Sequence, residues 1–256
     1  MLLASIFLAS AERKGDSVRR DLLFDLDQTL LDFHASERIA LKMVMEEKGL
    51  GFSEERCEFF KRTNKGLWLR FEKDEITKKE LFDSRFRRLF EECGCDTRGM
   101  DMLRINDDFI SFMSENGVLM EGALGFLRRL REDIPSARIY IITNGVERNA
   151  LGRINSTGLS GFTERVFVSE TLGASKPSEE YFRKVIDAVG DPKESCLVIG
   201  DSLTSDMLGA RNAGLKSCWF MPEGDAEKAV KEYDIDYTAG TFDELYEVIK
   251  RWTAGD

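Results

Sequence analysis

With 256 residues and a formal net charge of -10, the chain carries a surface that repels polyanions, which argues against a nucleic-acid polymer as partner. Its 42% hydrophobic and 33% charged residues exclude extended disorder and suffice for one core plus a smaller satellite. A small phosphorylated substrate is not excluded, because backbone amides and a single lysine can reverse the sign of the field inside a pocket.

The chain opens on an apolar run, Met1 to Ser10, with no positive segment before it and too few residues to cross a bilayer. It reads as part of an extension, residues 1–17, ahead of the basic pair Arg19-Arg20, and no membrane partner is expected. Leu22-Leu23-Phe24 follows as a short apolar run ending in polar residues, the pattern of a central strand buried on both faces.

Residues 34–118 change character. Apolar stripes recur at helical spacing in Ile39, Ala40, Leu41, Met43 and Val44, and again in Leu67, Trp68, Leu69 and Phe71. Leu81, Phe82, Phe86, Leu89 and Phe90 form a third stripe, and Phe109, Ile110, Phe112 and Met113 a fourth. About 85 residues of this kind predict a small all-helical domain inserted after the first strand.

Strand patterns return at Ile139 to Ile142, Val166 to Val168, Leu197 to Ile199 and Ser217 to Phe220. Helical patterns over residues 122–132, 147–157, 178–189 and 204–213 alternate with them. The alternation predicts an α/β fold with a parallel sheet, helices on both faces, and a core assembled from residues 18–33 and 119–253. Ligands of such sheets bind at the carboxyl ends of the strands, which places Asp25, Thr143 and Asp201 along one edge.

Cys57, Cys93, Cys95, Cys196 and Cys218 lack CxxC spacing, and His34 is the only histidine, so no zinc site assembles on paper. Reduced thiols suit the cytoplasm.

Asp25-Leu26-Asp27-Gln28-Thr29-Leu30 follows the first strand and brings two carboxylates together at i and i+2. Close carboxylates need a cation or a shared proton, and with no nitrogen or sulfur ligand beside them a hard ion such as Mg²⁺ fits best. Thr143-Asn144-Gly145 closes the second strong run with a hydroxyl, an amide and backbone N–H groups, though Thr143 alone could simply cap the next helix. Lys176-Pro177 precedes a helix whose start suits Pro177. Gly200-Asp201-Ser202-Leu203-Thr204-Ser205-Asp206 adds two further carboxylates, of which Asp206 could be an ordinary first-turn helix acid.

These four clusters, in this order, resemble the four motifs of the haloacid dehalogenase (HAD) superfamily, over residues 21–238. Gln28 departs from the pattern, standing where many members carry glycine, which puts the geometry of that turn in question. The resemblance implies a HAD-like Rossmannoid core with a helical cap and a two-step phosphoryl transfer. Asp25 would be the nucleophile and Asp27 the general acid and base. Thr143, Asn144 and Gly145 would hold the phosphoryl oxygens, and Lys176 would orient Asp25 and the phosphate. Mg²⁺, with Mn²⁺ or Co²⁺ as substitutes, would be held by Asp25, the Asp27 carbonyl, Asp201 and Asp206.

A retained Asp27 and the Asp201/Asp206 pair favour phosphoryl transfer over dehalogenation, which needs neither proton donor nor metal. Sugar-phosphate phosphatases and mutases share all four motifs. The segment Asn64-Lys65-Gly66-Leu67-Trp68, with residues 205–219, resembles the pyrimidine nucleotidases of the superfamily. That implies a nucleoside 5′-monophosphatase in which Asn64, Lys65 and Trp68 contact the substrate. Trp68 also fits an apolar stripe, so packing between cap helices is the competing reading. A monomer and a homodimer are both compatible with the sequence.

Overall fold

The computed structural model describes residues 20–221 and 224–255. The apolar run Met1 to Ser10 and the extension 1–17 lie outside the described residues. Six parallel strands form one sheet: β1 (Arg20–Asp25), β2 (Ala137–Thr143), β3 (Arg165–Val168), β4 (Cys196–Gly200), β5 (Lys216–Phe220) and β6 (Tyr237–Ala239). Their order is β3-β2-β1-β4-β5-β6, so the chain turns back across β1 and a crevice opens at the carboxyl ends of the central strands.

The unbroken apolar runs are explained by burial on two faces. Leu22 and Phe24 join one core cluster, with Ile139, Ile141, Leu197 and Ile199, while Leu23, Tyr140, Ile142 and Val198 join the other. Alternate side chains of each strand enter opposite cores, so no position is left for a polar residue until the strand ends. Each such side chain contributes about 1.5–3 kcal/mol of burial. The first cluster is closed by α5 (Ala123–Asp133) and α11 (Phe242–Ala254), the second by α8 (Glu179–Val189) and α9 (Leu208–Ala213). The remaining core helices are α6 (Glu147–Ser156), α7 (Ser169–Leu172) and α10 (Ala226–Tyr233).

Four helices lie between β1 and β2 on the chain before α5: α1 (Phe33–Glu47), α2 (Glu54–Glu72), α3 (Lys78–Glu92) and α4 (Met102–Glu115). They enclose a third cluster in which the rings of Phe60, Phe86 and Phe109 meet at 5.2–5.6 Å. Not every residue of the predicted stripes enters it: Ile39 and Leu69 face solvent, whereas Met45 is buried. The chain leaves and returns through paired linkers, with Leu31 bridged to Leu119, and Asp32 N donating to Val118 O at 2.9 Å. Helix α4 packs on α6 so closely that a Cβ on Gly152 would stand 2.3 Å from Ser114 Cβ.

Three local expectations change. Pro177 does not open α8; Ser178 is its N-cap, accepting from Tyr181 N, and Pro177 stands one residue outside. The helix expected from residue 204 begins instead as a π-helical turn, Leu203–Met207, before continuing as α9. Gln28 adopts the left-handed conformation at φ 61°, which normally favours glycine. Its side chain compensates by accepting from the N–H groups of Phe33 at 2.8 Å and His34 at 3.3 Å, which caps α1.

Candidate active site

Asp25 is the last residue of β1, and its side chain is buried among charges. Lys176, reaching in from the loop before α8, is only 3% exposed and uses all three ammonium protons. It donates to Asp25 Oδ1 at 2.5 Å, to Asp206 Oδ1 at 2.7 Å and to Ile142 O at 3.2 Å. Asp206 is brought inward by the π turn, where its other oxygen accepts from Ser202 N at 3.2 Å. It passes so near β4 that a Cβ on Gly200 would fall 2.2 Å from Asp206 Oδ2, so that position requires glycine. Asp206 is therefore not a free first-turn acid but a buried partner of Lys176. Asp201 follows β4 directly, its carbonyl accepting from Trp219 Nε1 at 2.8 Å.

Burial alone would lower the Lys176 ammonium, but Asp206 and Asp25 hold it above the usual lysine range. Burial pushes Asp25 well above the usual carboxylate range; Lys176 opposes that shift, while Asp206, Asp201 and Asp27 add repulsion. Asp201 is pushed up to about 7 by burial and then by Asp206.

Asp27 turns toward α6, where Arg153 grips it as a fork: Nη1 donates to Oδ1 at 2.5 Å and Nη2 to Oδ2 at 3.2 Å. Arg153 is buried, and its guanidinium lies over the Phe33 ring at 5.6 Å, the first residue of α1. Asp27 thus rests on an anchor shared with the inserted helices.

Four carboxylates here face two cations, which leaves two negative charges uncompensated if all ionise. Oxygens of Asp25, Asp201 and Asp206 lie within 4.8 Å of one another, an all-oxygen set suited to a hard divalent ion. The donor chemistry and the charge deficit both fit Mg²⁺.

Proton linkage follows from the Asp201 shift. A carboxyl raised in the folded state stabilises the fold below its unfolded pKa, near 4, and loses that contribution as pH rises through about 7. A cation bound by these oxygens would take the place of the proton. The gain in melting temperature on adding Mg²⁺ is therefore expected to grow from pH 5 to about 8 and then level off, as read by thermal melts. A shift independent of pH would contradict this arrangement.

Thr143 ends β2 and accepts from Gly145 N at 3.0 Å, leaving its hydroxyl proton free for an anion. It does not cap α6, whose N-cap is Val146. Asn144 is committed elsewhere: Nδ2 donates to Lys176 O at 2.8 Å, and Oδ1 accepts from Lys176 N at 2.9 Å. Its side chain fixes the lysine loop, which leaves one Nδ2 proton and the backbone N–H to meet a substrate.

A cavity joins this edge to the inserted helices. Asp25, Asp27, Thr143, Asn144, Gly145 and Lys176 line one end, and Asp201 and Asp206 line it too. Trp68 and Phe82 are among the residues at the other end. Trp68 stands half-buried, edge-on to Phe71 at 5.6 Å, and also borders a second hollow that contains Lys65. Asn64 does not reach the cavity. It is buried, with Nδ2 donating to Glu37 Oε1 at 2.6 Å and Oδ1 accepting from Arg85 Nη1 at 3.3 Å. The group it supports, Arg85, lines the cavity and is absent from the residues singled out in the sequence, as are Arg153 and Asn149. Each sits on a buried helix face between apolar neighbours, and that misplaced polarity is the signal that could have found them.

Comparison with known proteins places these features in a family. A family model described as haloacid dehalogenase-like hydrolase matches residues 22–214. A pyrimidine 5′-nucleotidase of Streptococcus pneumoniae is 36% identical over 202 residues, spanning 78% of this chain and 83% of that protein. A pyrimidine 5′-nucleotidase of Escherichia coli is 31% identical over 212 residues, spanning 80% and 90%. A magnesium-bound structure of a Bacillus subtilis HAD-hydrolase superposes with a TM-score of 0.79 at 33% identity, covering 91% of this chain and 99% of that one.

Proposed function

The chain belongs to the haloacid dehalogenase-like hydrolases, and from that premise we propose a Mg²⁺-dependent nucleoside 5′-monophosphatase that prefers pyrimidine nucleotides. The observation that carries the chemistry is the buried Asp25, held at a strand end by Lys176 and facing two further carboxylates.

In the proposed sequence an Asp25 oxygen attacks phosphorus in line, and the bond to the nucleoside oxygen breaks. Asp27 gives that oxygen its proton, for which it must first loosen from Arg153. Water, deprotonated by Asp27, then attacks the aspartyl-phosphate, releasing inorganic phosphate and restoring Asp25. The Thr143 hydroxyl holds a phosphoryl oxygen, with backbone N–H groups of residues 144–145 beside it, while Lys176 orients Asp25 and sets a positive charge beside the phosphate. Bound through Asp25, the Asp27 carbonyl, Asp201 and Asp206, Mg²⁺ would offset the charge of the phosphoryl group. The inserted helices serve as a cap that excludes water, and their two paired linkers confine any hinge to one place.

The substrate class rests on the two nucleotidase relatives and on an aromatic cavity wall that suits a planar base. The test compares kcat/KM for UMP, dTMP, AMP, glucose 6-phosphate and phosphoglycolate. Pyrimidine nucleotides are expected to lead. A sugar phosphate or phosphoglycolate turned over about tenfold more efficiently than any nucleotide, roughly 1.4 kcal/mol in barrier, would end the nucleotidase reading.

A further inference from the structure

Among the described residues that line the cavity, Arg85 on α3 is the cation at the far end, and it is 3% exposed. Its Nε donates to Asn106 Oδ1 at 2.9 Å, its Nη2 donates to the same oxygen, and Nη1 donates to Asn64 Oδ1 at 3.3 Å. Asn64 is itself held by Glu37, so three helices brace one guanidinium. The Phe82 and Phe109 rings lie beneath it, at 5.1 and 4.8 Å.

Three of the five guanidinium N–H groups are committed to these oxygens. The other two have no protein acceptor among the described residues. A buried N–H left without an acceptor is costly, so these two are free to donate to water or to a ligand oxygen in the cavity. A second incomplete group borders the same space: Asn149 Oδ1 is buried and receives no hydrogen bond.

We propose that Arg85 is the specificity-determining residue of this pocket, donating to an exocyclic carbonyl oxygen of the substrate's base; this rests on the nucleotidase reading above. A second phosphate would be the other acceptor, but two features oppose it. Glu37 stands behind Arg85 and offsets its charge, and the walls beside it are Phe82, Phe109, Ile110 and Met113. A dianion would lose its hydration there against one compensated cation. A flat base with a carbonyl edge gains both the rings and the N–H donors. Uracil and thymine carry two such carbonyls, cytosine one and adenine none. Guanine carries one on a larger ring system, so the shape of the pocket must complete the choice.

The experiment measures kcat/KM for UMP, AMP, ribose 5-phosphate and uridine 3′,5′-bisphosphate in wild type, Arg85→Lys and Arg85→Met, with thermal melts beside each. Wild type is expected to prefer UMP to ribose 5-phosphate. In Arg85→Met that preference should shrink about 30-fold or more, the scale of a hydrogen bond to a charged donor, and the UMP-to-AMP ratio should fall with it. Arg85→Lys keeps the charge but loses the fork, and should fall between. If the ratios hold while all rates drop together, Arg85 is structural and the proposal is overturned. A loss confined to the bisphosphate would identify an anion site and overturn it also. A wild type with no preference for UMP over ribose 5-phosphate would instead defeat the nucleotidase reading itself.

Discussion

Asp25→Asn is expected to lower turnover of any phosphomonoester by roughly 10⁴-fold or more while leaving the metal-free protein as stable as wild type or more so. The two halves have one cause. The amide cannot form the acyl-phosphate bond, so the covalent route closes. Burial and the neighbouring Asp206, Asp201 and Asp27 disfavour a charge at this position in the folded state, with Lys176 only partly compensating. A neutral isostere removes that repulsion and keeps the shape. Steady-state rates and thermal melts without metal check both parts. A variant that lost activity and unfolded would make Asp25 a structural residue.

Lys176→Met should fail differently, losing activity and stability together. Lys176 makes three buried contacts, and its removal leaves Asp25 and Asp206 facing one another without a cation between them. Breaking a buried pair in this way costs about 3–5 kcal/mol. Mg²⁺, which in the proposed site would bind the same carboxylates, should recover part of the stability but not the turnover, because the positive charge beside the phosphoryl group is gone. Chemical denaturation with and without Mg²⁺, alongside initial rates, separates the two effects. Equal stability of variant and wild type without metal would contradict the packing described for Lys176.

The strands β1, β2 and β4 were legible because burial on both faces leaves no polar position inside them, and their ends were legible because polarity returns abruptly at Asp25, Thr143 and Asp201. Residues placed directly at those ends could be read from local pattern alone. Strand β6 could not: it is three residues long, and only Ala239 is buried. Its identity comes from pairing with β5, a contact no local period records. The π turn was equally hidden, since a helix wound one residue wider has no signature of its own in Ser205-Asp206-Met207. Asn64 is a substrate contact by resemblance to the nucleotidases, and Asn144 by its place after a strand end; neither signal carries information on hydrogen-bond partners brought in by the fold. The structure gives both amides to neighbouring residues, Lys176 in one case, Glu37 and Arg85 in the other. Arg85 and Arg153 were invisible for the opposite reason: on a helical pattern an arginine reads as solvent-facing, and only the fold turns it inward.

In the proposed reaction Asp25 and its carboxylate neighbours carry metal-dependent phosphoryl transfer. The most direct measurement is phosphate release from UMP by the wild-type protein, first stripped with EDTA and then given Mg²⁺. Release that is absent after stripping and returns with Mg²⁺ is the predicted result. Release untouched by EDTA would rule out the metal-dependent route, and silence toward every phosphomonoester combined with release of halide from a 2-haloacid would make the chain a dehalogenase.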